Sequence, residues 1–177
     1  MKTHKLIPGV AALALSYFVM PIALRAADSP EIAKLLADAK AQAVALKADA
    51  VDMESFTRSA SNWETYLGNL DMIKEHVNKT GTLLTKLKDV EASGSPWQQT
   101  AIKQIEPLLK EIADNTTATI NHLSDNKNKV HLPVFKDYVK ANYELAADLE
   151  ALIRGFVDYG NAKEKFEGLG SKLEIRD

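Results

Sequence analysis

The sequence predicts an all-α protein: an up-down-up-down antiparallel four-helix bundle over residues 28–177, preceded by a signal peptide over 1–27 and ending in a short C-terminal helical extension. Three observations carry this. Apolar residues recur at alternating spacings of three and four in four long stretches, Ser-Pro pairs or a lone Pro mark helix starts, and the first segment runs from basic to apolar to small residues. At 177 residues, 46% apolar and 26% charged, the chain supports one domain with a sizeable core. It has no Cys, which excludes a disulfide scaffold, a thiolate metal site, haem attached through C-x-x-C-H and a lipoprotein anchor.

Lys2, His4 and Lys5 open the leader, Leu6 to Leu24 is almost wholly apolar, and Ala26 and Ala27 precede Asp28. A retained anchor is the competing reading, because the run approaches the roughly 20 residues a spanning helix needs. Pro8, Gly9 and Pro21 interrupt it and the Ala exit suits cleavage, so the expected location is periplasmic or secreted, with no stable membrane anchor after cleavage. Cleavage would remove Lys2, Lys5 and Arg25 and no acid, so 22 basic residues fall to 19 against 24 acids, a net charge of −5. An acidic chain without a basic stripe does not point to nucleic acid as a partner.

Ser29, Pro30 and Glu31 give an N-cap, a first-turn proline and a first-turn acid. The first helix is expected over 30–58, its inward stripe including Ile32, Leu36, Ala39, Ala43, Leu46, Ala50 and Met53. Ser61 to Glu64 reads as a capping box that opens a second helix over 62–92, with Trp63, Tyr66, Leu70, Ile73, Val77, Thr80, Leu84 and Leu87 inward. Ser95 and Pro96 open a third over 96–124, in which Pro107 should produce a kink rather than an end. Pro133 opens a fourth over 133–159, with Phe135, Tyr138, Val139, Asn142, Leu145, Leu149, Leu152 and Phe156 inward and Gly160 as a candidate cap. The heptad phase continues through Lys163, Phe166 and Leu173, so the tail 160–177 is a continuation, a bent extension or a short packed helix.

In this arrangement Asp49, Asn115 and Asn142 lie at similar heights on inward positions, about 9 or 10 residues below the end formed by the Arg58 turn and the Ser124–His131 loop. Thr116, Thr119 and His122 extend the polar strip towards Met53. Buried polar groups are costly unless paired, so this layer is either a satisfied network that fixes helix register or a place where a ligand binds. Met53 and His122 are also the one pair placed to hold haem as a cytochrome b562-like bundle does, although they fall on diagonal helices. His76, four residues from Met72, reads as an edge histidine, and His131 as local structure.

Other chemistries lack their residues. No His has Glu three positions before it, so a di-iron carboxylate site is not encoded. H-E-x-x-H, G-x-S-x-G and G-x-x-x-x-G-K-[ST] do not occur, and no catalytic residues or metal ligands are expected.

The stretches SPWQQTAIKQIEPLLKEIADNTTATINHL and DYVKANYELAADLEALIRGFVDYGNAKEKFEGLGSKLE resemble a family of exported bacterial helical-bundle proteins. The resemblance implies secretion and a helical bundle, and brings no activity or cofactor. Two functions therefore stand as expectations. One is an exported, non-enzymatic module that binds a protein or envelope component through its outer faces or its tail, where an exposed Phe166 or Leu173 would mark a docking face. The other is a small-ligand or haem-binding bundle using Asp49, Met53, Asn115, Thr119, His122 and Asn142.

Overall fold

The computed structural model describes residues 27–59 and 61–173, so nearly all of the expected signal peptide lies outside the described residues. Four long helices account for most of the rest: α1 (Pro30–Phe56), α2 (Trp63–Val90), α3 (Pro96–Asp125) and α4 (Pro133–Lys172). Single 3-10 turns, Glu91–Ser93 and Lys127–Lys129, lie in two of the connections. No strand occurs among the described residues.

Local chemistry sets the helix starts. The Ser29 side chain accepts from the Ile32 backbone N–H, and Pro30 fills the first turn, where its missing N–H costs nothing. At α2 the cap is Asn62, one residue later than the expected Ser61 box: its Oδ1 accepts from the Thr65 N–H at 3.1 Å and from the Thr65 hydroxyl at 2.8 Å. Asn and Ser are nearly equal as caps, and Asn62 has two donors within reach, while the Ser61 hydroxyl pairs with Ser59 instead. In α3, Pro107 is exposed and the helix runs through it, so the carbonyl that loses its partner faces water.

Each helix packs on two neighbours: α1 and α3 both lie against α2 and α4. Side-chain pairs across the seams run in opposite order along the two helices. Lys40 pairs with Asp158 and Lys47 with Glu150 across α1 and α4, whereas Thr116 and Asn142 join α3 to α4. The core is a single apolar column, with Leu36, Leu46, Leu70, Ile73, Leu87, Ile105, Ile112 and Leu149 among its buried members. Burying each such side chain contributes roughly 1.5–3 kcal/mol. Ala39, Ala43 and Ala50 give α1 a small-residue face, so its neighbours lie close without large side chains between them. At the end near the Phe56–Trp63 turn, here called the top, Tyr66 stands edge-on to Phe56 and Phe135 at centroid separations of 6.2 and 4.9 Å.

α4 departs most from expectation. It does not stop at Gly160 but continues as one 40-residue helix to Lys172, so the described part of the tail is a continuation of the fourth helix. Its buried face is also rotated: Ala146, Glu150 and Ile153 are buried, while Leu145, Leu152 and Phe156 are only partly covered. Ala146 is fully buried although its small side chain is a weak mark of an inward face.

Candidate functional site

The polar layer expected in the upper core exists in part. Asn142 is fully buried, and its amide has partners on both atoms. Oδ1 accepts from the Thr116 hydroxyl at 2.8 Å, and Nδ2 donates to Thr119 Oγ1 at 2.8 Å and to the Tyr138 carbonyl at 3.0 Å. The Thr119 hydroxyl in turn donates to the Asn115 carbonyl at 2.7 Å, and Asn115 Nδ2 reaches the Tyr138 carbonyl at 3.3 Å. This network joins α3 to α4 and satisfies itself internally.

The remaining candidates lie apart from it. Met53 is fully buried on α1 within the apolar core. His122 is half-buried, with its ring against Phe135 and Tyr138 at centroid separations of 6.2 and 5.2 Å. Asp49 belongs to the α1–α2 seam, where its Oδ2 lies 3.3 Å from His76 Nε2, and His76 Nδ1 lies 3.0 Å from Gln42 Oε1. The contact to Oδ2 is close enough for charge attraction but misaligned as a hydrogen bond, and Oδ2 is buried without another partner. Burial, helped by the negative Asp52 and Glu75 and opposed by His76, holds the Asp49 carboxyl above the usual carboxylate range.

At the opposite end, a latch closes the base of the bundle. Gln98 is fully buried on α3; its Oε1 accepts from the backbone N–H of Ser29 at 2.8 Å and of Ser95 at 3.1 Å, and its Nε2 donates to the Ser29 carbonyl at 2.8 Å. Beside it Trp97 Nε1 donates to Asp28 Oδ1 at 2.8 Å, and Lys163 Nζ donates to Asp28 Oδ2 at 2.7 Å. Burial pushes the Asp28 carboxyl up, but hydrogen bonds from Lys163, Ser95 and Trp97 overcome it and leave the group below its ordinary value. The Asp28 hydrogen bond raises Lys163 correspondingly. A notch of about 420 Å³ opens here between the start of α1 and α4, rimmed by Asp28, Glu164 and Glu167.

Below the latch α4 projects alone. Phe166 (75% exposed), Leu169 (48%) and Leu173 (66%) form an apolar edge along it, continued upward by Tyr159 (53%), whose ring stands edge-on to Trp97 at a centroid separation of 5.4 Å. Above them an apolar groove of about 490 Å³ runs between α3 and α4, lined by Trp97, Leu152, Gly155, Phe156 and Tyr159 among others.

Sequence reasoning missed Gln98, His76 as the partner of Asp49, and Glu150, which is buried between Lys47 at 3.1 Å and Arg154 at 3.4 Å. The signal for Gln98 was present as Ser95-x-x-Gln98, a capping-box spacing. Glu150 had no such signal, because a charged residue one step off an apolar stripe usually faces water.

Among the described residues no helix is long and apolar enough to cross a membrane, and no three His, Asp or Glu side chains converge as metal ligands. Fold and surface together define an all-α helical-bundle protein with an exposed helical extension. Compared with protein families, curated proteins and solved structures, the chain matches none.

Proposed function

We propose that this chain is an exported, non-enzymatic, up-down-up-down bundle of the cell envelope that acts by binding through the lower part of α4. The basic-apolar-small order of residues 1–27 supports export. The opposed order of the cross-helix pairs, with α1 and α3 each between α2 and α4, supports the topology.

The observation that carries the reading is the apolar edge at Phe166, Leu169 and Leu173, on a stretch of helix that has left the core that would otherwise cover it. Large apolar side chains concentrated on one exposed helical face mark a docking surface rather than scattered surface hydrophobicity. The small-ligand and haem reading draws less support, because Asn142, Thr116 and Thr119 already satisfy one another and His122 packs against Phe135 and Tyr138.

The test places a photo-cross-linking phenylalanine analogue at Phe166 or, as a control, at Glu144 in the full chain expressed with its leader. Adducts at position 166 and none at 144, from a periplasmic fraction whose intact mass lacks about 27 residues, support the reading. A chain that keeps its leader, or that forms no adduct at 166, overturns it. A Soret band in the purified protein would move the function to the upper core.

A further inference from the structure

The proposed binding surface has a pattern that names its partner. On α4, positions 151, 155, 159, 162, 166, 169 and 173 recur at spacings of three or four and so share one face over about 33 Å. All seven are exposed and none is charged, whereas Glu144 and Asp148 lie on the same face just above them. The upper part of the run is small, Ala151 and Gly155, and the lower part is large, Phe166, Leu169 and Leu173.

This order is self-complementary about Ala162. If a second α4 is laid antiparallel across Ala162, every position of the run meets its mirror position to within one residue. Ala151 then faces the second copy's Leu173, Gly155 its Leu169, Tyr159 its Phe166, and Ala162 its Ala162. Large side chains enter gaps left by small ones, and the central alanines let the two backbones approach. On one flank of the run Asp158, still 59% exposed beside its Lys40 partner, comes level with the second copy's Lys165, and Lys165 with its Asp158, so the two-fold axis brings opposite charges together twice.

Two further features fit without adjustment. The apolar groove lined by Trp97, Leu152, Gly155, Phe156 and Tyr159 lies where the second copy's Phe166 and Leu169 would be seated. The base of the bundle lies at the Trp97–Gly160 and Asp28–Lys163 contacts, on either side of Ala162, so the two bodies would meet base to base while each extension lies along the lower body of the second copy.

We infer that the chain forms a two-fold symmetric dimer in which each α4 extension lies in the α3–α4 groove of a second copy. The inference rests on the binding reading above and names the partner of that surface.

Sedimentation of the mature chain tests it, with a mass of twice the protomer expected. Phe166→Glu should return the mass to one protomer while the thermal midpoint at low protein concentration stays unchanged, because residue 166 lies outside the core. Lys165→Asp, which sets an acid against the second copy's Asp158 and leaves the Lys40 pair intact, should weaken the dimer, and Lys165→Arg should keep it. Because the natural chain has no Cys, Ala162→Cys should oxidise to a symmetric cross-link, and Gly155→Cys mixed with Leu169→Cys should give the heterologous one. A dimer insensitive to Phe166→Glu, or cross-links only between identical positions along α4, would overturn the geometry. A monomer that still forms a photo-adduct at 166 would overturn self-association and leave the binding reading standing; a monomer with no adduct would remove both.

Discussion

Gly160 has no side chain where the Trp97 ring lies: a Cβ there would stand 2.8 Å from Cη2 of Trp97 and 3.1 Å from Cζ2. The close approach lets the indole reach Asp28. Adding a methyl gains roughly 1 kcal/mol of helix propensity but forces a ring held by its own hydrogen bond to move, at a cost of roughly 1–3 kcal/mol. Gly160→Ala should therefore lose about 1 kcal/mol net in urea unfolding. Gly68→Ala and Gly81→Ala, where a Cβ meets nothing within 4 Å, should gain up to about 1 kcal/mol.

Gln98 joins the start of α1 to the start of α3 through one amide. Gln98→Ala should destabilise by about 2–3 kcal/mol, since it strands the Ser29 N–H and carbonyl in a partly buried site. Amide exchange at Ser29 and Ser95 should accelerate before exchange elsewhere in the bundle. Unchanged protection there would show that the latch is redundant.

Asn142 invites the opposite outcome. Replacing it with Leu together with Thr116→Val removes the buried amide and the hydroxyl that depends on it, while the Thr119 hydroxyl keeps its bond to the Asn115 carbonyl. Stability should change by less than about 1 kcal/mol, because apolar replacements of satisfied buried polar groups are often neutral. The cost should instead appear as broadened resonances along α3 and α4, whose register the network fixes. A loss above about 3 kcal/mol would show that the network stabilises rather than specifies.

Asp49 predicts a pH dependence. Burial holds its carboxyl above the ordinary carboxylate range in the fold, so the folded state favours the protonated form more than the unfolded chain does. The stability this preference brings is complete below the unfolded value and is lost as pH rises through the folded one. Asp49→Asn should therefore be more stable than the natural chain at neutral pH, by no more than about 1 kcal/mol after solvent screening, and should match it near pH 3. A natural chain that is the more stable of the two at neutral pH would mean that attraction to His76 outweighs the burial cost.

The four helices were legible because punctuation and periodicity agreed. Ser29-Pro30 and Ser95-Pro96 mark starts by local chemistry alone, and the Tyr66 to Leu87 stripe is the buried face of α2. The end of α4 was not legible. Glycine lowers helix propensity by only about 1 kcal/mol, less than the neighbouring turns and the Trp97 contact supply, so Gly160 reads as a stop and is instead a seat. The upper-core candidates split for a related reason. Height along the bundle brought Asp49 level with Asn142, but a few tens of degrees of helix rotation decide which seam a side chain enters, and Ala-rich α1 gave little to fix that angle. Asp49 turned to His76, and the network closed between α3 and α4 without it.

The seam between α1 and α4 also orders events in time. The first helix to be synthesised has one flank that only the last can cover, through Lys40 with Asp158, Lys47 with Glu150 and Asp28 with Lys163. A growing chain that has reached His131 holds three helices and an open alanine face, and it lacks the contacts of greatest sequence separation, whose loop closure limits folding rate. The bundle thus stays incomplete until α4 has been made, and the α1–α4 seam closes last.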